Sequence, residues 1–123
     1  MTTPSLYHYR STVTNIVDGD TIDVTIDLGF DISLNERVRL VGINAPESRT
    51  RDLEEKARGL AAKEFVGRWL LESAGMHPII ETSKDKAGKF GRILGRVLND
   101  EGECLNDILV AEGHATPYDG WKR

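Results

Sequence analysis

Hydrophobic positions alternate most strictly between Thr21 and Leu28. Ile22, Val24, Ile26 and Leu28 fall on one face, and Thr21, Asp23, Thr25 and Asp27 on the other. A period of two is the mark of a half-buried strand. Gly29 permits a turn, and alternation resumes with Ile32, Leu34, Val38 and Leu40, leaving Arg37 and Arg39 on the opposite face. Upstream, the β-rich run from Tyr7 to Val17 predicts a first strand. Asp18-Gly19-Asp20-Thr21 then reads as the tight connection between strands one and two. The pattern disappears from Gly42 to Arg51, where Pro46 forbids simple strand continuation.

A period near 3.6 takes over next. Leu53, Ala57, Leu60, Ala61, Phe65 and Trp69 predict the apolar face of a helix. Asp52 with Glu55 outlines a capping box at its start, and Gly75 follows its end. Pro78, Ile79 and Ile80 predict a short fourth strand, Thr82 to Gly91 a polar loop, Ile93 to Leu98 a fifth strand, and Asn99 to Gly102 a turn. A second helix is expected from Leu105 to Glu112, with Leu105, Ile108 and Leu109 inward and Gly113 as its C′ residue. The closing stretch TPYDGWKR has no periodicity. Three strands, a helix, two strands and a helix is the order of an OB-fold. The expected architecture is a β-barrel with helices: a five-stranded Greek-key barrel, one long helix between strands 3 and 4, and a short second helix after strand 5. A ferredoxin-like order would need a helix after the first strand, and the Asp-Gly connection leaves no room for one. The chain of 123 residues is expected to be a single domain over 1–123, with 1–6 and 116–123 as loosely ordered tails.

Composition narrows the chemistry more than the fold. At 39% hydrophobic and 29% charged residues the balance is that of an ordinary globular protein. No apolar run approaches the roughly 18 residues of a membrane span. The N-terminus, MTTPSLYHYR, lacks the charged-then-apolar order of a secretory signal. A cytoplasmic, membrane-independent protein is therefore expected. The lone Cys104 can form no internal disulfide. With only His8, His77 and His114 beside it, no zinc constellation is available, so any metal must be a hard cation held by oxygen. A net charge of −4 argues against coating nucleic acid by bulk attraction. Charge is nevertheless segregated. Acids gather at Asp52, Glu54, Glu55 and Glu64 and at Asp100, Glu101 and Glu103. Basic residues gather at Arg37 and Arg39, at Arg49 and Arg51, and at Lys84, Lys86, Lys89, Arg92 and Arg96. A local basic cleft on an acidic body is compatible with this.

Three segments place polar residues where packing alone does not ask for them: Asp18-Gly19-Asp20-Thr21, then Arg39 with Asn44-Ala45-Pro46-Glu47, then Gly88-Lys89-Phe90-Gly91-Arg92. Singly, each reads as a turn or a solvated loop. Jointly, the runs VDGDTI, RVRLVGINAPE, DKAGKFGR and LNDILVAEGHA resemble, in order and spacing, the staphylococcal-nuclease-like (thermonuclease) family. The resemblance covers nearly the whole chain. It implies an OB barrel that hydrolyses phosphodiester bonds of DNA and/or RNA, typically single-stranded or frayed, with calcium as the main ion, and that leaves 3′-phosphate ends. Magnesium or manganese as substitutes, and a monomer, are further expectations.

By that resemblance Asp20 and Asn44 match metal ligands, and Ala45 matches a residue that offers its backbone carbonyl to the metal. Glu47 matches the carboxylate that orients or deprotonates the attacking water. Arg39 and Arg92 match the two arginines that hold the phosphate. Lys89 and Phe90 match a Lys-Tyr pair at a neighbouring phosphate, and Tyr118 lies near an aromatic that meets a nucleotide base. The residue types suit the task. Oxygen ligands suit a hard cation, a glutamate can take a proton from water, and arginine gives bidentate donation to phosphate. The chain departs from the family pattern at Asn44, where the best-known members carry an aspartate, at Phe90, which lacks the tyrosine hydroxyl, and in ending soon after the second helix. The competing readings are a non-catalytic OB module that binds single strands or a protein partner, and a small structural subunit. Retention of Arg39, Glu47 and Arg92, together with few candidate stacking aromatics outside the core, favours the enzyme.

Overall fold

The computed structural model describes residues 7–87 and 93–118. Its strands are β1 (His8–Asp18), β2 (Thr21–Asp27) and β3 (Ser33–Leu40), and β4 (Ile43–Asn44) is a short fourth. Helix α1 (Leu53–Ala74) follows, then β5 (Ile79–Ala87), β6 (Ile93–Leu98), α2 (Leu105–Ala111) and the short β7 (Thr116–Pro117). Five strands close a barrel in the order β1-β2-β3-β6-β5, with β5 returning to β1. All its pairings are antiparallel except β3 with β6. This is the OB-type barrel that the alternation predicted.

The inward positions are those read from the pattern. Ile22, Val24, Ile26, Val38, Leu40, Ile80 and Val97 are buried, each at 3% exposure or less. Full burial of such a side chain stabilises by about 1.5–3 kcal/mol. The alternation overreaches at the far end of the β2–β3 hairpin. Leu28, Ile32 and Leu34 are at least 40% exposed, because the hairpin runs past the last rung that β1 can cover, Ser11 opposite Ile26. Buried Asn106 secures the near end. Its amide oxygen accepts from Val97 N–H, and its amide nitrogen donates to the carbonyls of Val41 and Gly95. One side chain thus ties α2 to the place where β3 and β6 meet.

Three expectations are corrected. Thr82 to Ala87 is not a loop: β5 runs on to Ala87 although this stretch carries no apolar alternation. The two ends of the stretch pair with β6, Thr82 opposite Gly95 and Ala87 opposite Ile93, with an irregularity in register between them. Thr116 and Pro117 are not a loose tail, since they pair with Ile43 and Asn44 in a second, two-stranded ribbon. The helix exists as predicted, capped by Asp52, whose carboxylate accepts from the N–H groups of Glu54 and Glu55, and closed by Gly75 in the left-handed region. Its buried face is Gly59, Ala62, Val66, Trp69 and Leu70, however, whereas Leu53 and Leu60 are 79% and 48% exposed. At the N-terminal half small residues, Gly59 and Ala62, set this contact, because there the helix comes almost into backbone contact with the barrel rim. Val66, Trp69 and Leu70 fill the core further on.

Candidate active site

The rim where α1 presses in is also where the polar motifs converge. The β1–β2 turn packs so tightly that a Cβ on Gly19 would lie 2.8 Å from the Cβ of Ala62 and 3.1 Å from that of Ala45. Asp20, next in the turn, is 8% exposed, and each oxygen of its carboxylate accepts a hydrogen bond. One oxygen accepts from the Thr21 hydroxyl at 2.9 Å, and the other accepts from Ala45 N–H at 2.9 Å. The Asp20 carbonyl in turn accepts from Leu40 N–H, locking the turn to the end of β3. That places Arg39 alongside. Its guanidinium nitrogen Nη2 lies 3.6 Å from Asp20 and donates to the Asn44 amide oxygen at 3.3 Å, while Nη1 donates to the Leu40 carbonyl at 2.9 Å. The guanidinium carbon also sits 6.0 Å from the ring centroid of Tyr118, at the edge of cation–π range. The β4–β7 ribbon explains that contact, for Tyr118 N–H donates to the Gly42 carbonyl just beyond Pro117.

Glu47 follows Ala45 and Pro46 on the same loop. Among the described residues its carboxylate has no hydrogen-bond partner, but its backbone is gripped. Glu47 N–H donates to the Glu55 carboxylate at 3.2 Å. The capping box outlined in the sequence is therefore half formed: Asp52 caps, while Glu55 reaches across to the loop instead of back to Asp52. Ser48 donates from both its backbone N–H and its hydroxyl to the Asp18 carboxylate. Gly59 presses on the peptide between Glu47 and Ser48, where a Cβ would lie 2.4 Å from the Glu47 carbonyl oxygen.

The structure therefore brings Asp20, Arg39, Asn44, Ala45 and Tyr118 together and holds Glu47 on the adjoining loop. Lys89, Phe90 and Arg92 lie outside the described residues. Sequence reading passed over Asp18, Ser48, Glu55 and Gly59 as members of this site. For three of them there were signals: Asp18 as the first acid of the Asp-Gly-Asp turn, Glu55 as the acid three residues after the helix cap, and Gly59 as an isolated glycine inside a helix. Ser48 carried none.

For a metal, the donors are one carboxylate, from Asp20, and the amide oxygen of Asn44. Among the described residues no group of three or more His, Cys, Asp or Glu side chains gathers. An all-oxygen set of low charge fits a hard cation that keeps much of its water, not a metal that seeks thiolate or imidazole ligands. The positive charge bridging Asp20 and Asn44 in this structure is that of Arg39.

Gly59→Ala tests the grip on the loop. Alanine raises helix propensity, yet its methyl would meet the Glu47 carbonyl, so a loss of about 1–3 kcal/mol is expected. Gly67→Ala is the comparison, since there the new methyl meets only the tip of Ile16, at 3.2 Å. Thermal melts should show Gly59→Ala falling and Gly67→Ala holding. A rise in Tm for both would mean that the loop does not rest on the helix.

The family "Staphylococcal nuclease homologue" matches residues 37–123. The chain is 35% identical to the "Thermonuclease" of Staphylococcus intermedius over 84% of this chain and 56% of the relative. It is 30% identical to an "Uncharacterized endonuclease" of Escherichia coli, over 87% of this chain and 60% of that protein. To "Endonuclease YhcR" of Bacillus subtilis strain 168 it is 28% identical, over 92% of this chain but 9% of that much longer protein. The chain thus spans 60% or less of the length of each of these relatives.

Proposed function

The chain belongs to the staphylococcal nuclease homologue family, and from that premise we propose that it is a calcium-dependent nuclease acting on single-stranded DNA and/or RNA. The observation that carries the reading is the placement of Arg39. It is 13% exposed, is held by the Leu40 carbonyl and Asn44, and keeps donors of its planar fork for a phosphate. Asp20, Asn44 and the Ala45 carbonyl would hold the ion. When bound, it would supply charge neutralisation at the phosphate oxygens. The rest is the chain's own work. Arg39, with Arg92 assigned by resemblance, binds the phosphate and meets the charge that builds on its oxygens. Glu47, on a loop gripped by Glu55, Gly59 and Asp18, accepts the proton of the attacking water. Lys89, Phe90 and Tyr118 take the neighbouring nucleotide.

A calcium titration of cleavage on a labelled single strand, with EDTA as the zero point, tests this. Wild type should cut in calcium and stop in EDTA. Asn44→Asp should lower the half-maximal calcium concentration, because even a screened unit charge at ligand distance is worth about 1–4 kcal/mol. Binding without cleavage at any calcium concentration would overturn the reading in favour of a non-catalytic strand-binding module. An unshifted midpoint in Asn44→Asp would remove Asn44 from the ion.

A further inference from the structure

A polymer bound at Arg39 must leave that site in two directions, and the β4–β7 ribbon spans both. At one end of the ribbon Tyr118 adjoins Gly42 and Arg39. At the other, the Thr116 hydroxyl donates to the Asn44 carbonyl. Beyond Asn44, on the side away from Tyr118, opens a cavity of about 300 Å³ walled by the Asn44–Pro46 loop, by Glu55 and Arg58 of α1, and by His114 and Thr116. Its size is at the lower edge of ligand pockets, and it sets the polar groups of Asn44, Glu55, Arg58, His114 and Thr116 among apolar ones.

The charged groups in it are not equivalent. The Glu55 carboxylate is engaged by Glu47 N–H. Arg58, one turn on along the same helix, is exposed and has no hydrogen-bond or ion-pair partner among the described residues. His114 is held with its ring 4.8 Å from that of Phe65, tilted by 35°. A fixed flat ring beside an uncommitted guanidinium is a pairing suited to a nucleotide, with a π-face or ring edge for the base and a fork for the phosphate.

We propose that this cavity is a second nucleotide subsite, in which Arg58 binds the phosphate that neighbours the one at Arg39. The inference rests on the nuclease reading above and adds a strand path across Asn44. It makes Arg58 a determinant of substrate length rather than of the chemistry.

Two substrates separate the possibilities: a dinucleoside monophosphate, whose single phosphodiester can occupy Arg39 alone, and a single-stranded oligonucleotide of about eight nucleotides, long enough to reach both subsites. Arg58→Ala should lower kcat/KM on the oligonucleotide by about 5–10-fold more than on the dinucleoside monophosphate. The salt slope of oligonucleotide binding, measured in a Glu47→Gln background with calcium, should shrink by about 0.7, the value of one lost contact to a single strand. Arg68→Ala, elsewhere on α1, is the charge control and should change neither. Equal losses on the two substrates, or no loss on the oligonucleotide, would overturn the subsite while leaving the nuclease standing. If the unmutated protein neither binds nor cuts the oligonucleotide, the nuclease reading has failed and the subsite falls with it.

Discussion

Replacing Glu47 by glutamine is expected to cut the rate of phosphodiester cleavage by about 10²–10⁴ while barely changing stability. The structure sharpens why the two effects should separate. What holds this loop is backbone: Glu47 N–H on Glu55, the following peptide against Gly59, and Ser48 on Asp18. Glutamine keeps all three. It keeps the size of the side chain too, and the carboxylate has no partner among the described residues that the change would orphan. Only the capacity to take a proton is removed. Turnover on a single strand in saturating calcium, paired with a thermal melt, makes the comparison. Wild-type turnover in Glu47→Gln would take glutamate out of the mechanism. A Tm loss as large as that of Gly59→Ala would show that the side chain is structural after all.

The barrel was legible because its strands obey a period that only a half-buried sheet requires. Ile22, Val24 and Ile26, then Val38 and Leu40, name the interior without reference to anything distant. The helix was legible in extent, from Asp52 to Gly75, but in orientation only at Phe65 and Trp69. Burial at Gly59 and Ala62 comes from close approach, and hydrophobicity ranks those residues below Leu53 and Leu60, which face solvent. The β4–β7 ribbon was not legible at all. Two-residue strands have no alternation, and their pairing exists only because α2 returns the chain to the rim. The polar site follows the same division. Asp20, Arg39, Asn44 and Glu47 could be singled out by the order and spacing of their motifs, which carry the family resemblance. Glu55 could be read as half of a capping box, but that its carboxylate would hold the Glu47 N–H depends on how α1 leans against the barrel.

Arg39→Lys is expected to lower turnover by about 10²–10³, the usual cost of removing one donor aimed at developing negative charge. Charge is conserved in this change, so the loss isolates geometry. Arg39 reaches the Leu40 carbonyl through one terminal nitrogen and Asn44 through the other, and that fixes the plane of the fork relative to Asp20. A lysine ammonium is a single point and cannot hold both while also meeting a phosphate. Arg37, two residues back on the same face of β3, is the matched control. Its guanidinium donates to both carboxylate oxygens of Asp23, at 2.7 and 3.2 Å, and this partner holds the Asp23 carboxyl below the usual carboxylate range. Arg37 is already committed to a surface ion pair, and Arg37→Lys should leave turnover near wild type, with a small effect on stability. Kinetics on one substrate for the three proteins decide the matter. Parallel losses in the two lysine variants would mean that the face contributes only general positive potential. Near-full turnover in Arg39→Lys would mean that the phosphate is not held by this fork. The buried approach of Arg39 to Asp20 and Asn44 would then be a structural ion pair that the barrel keeps at its rim.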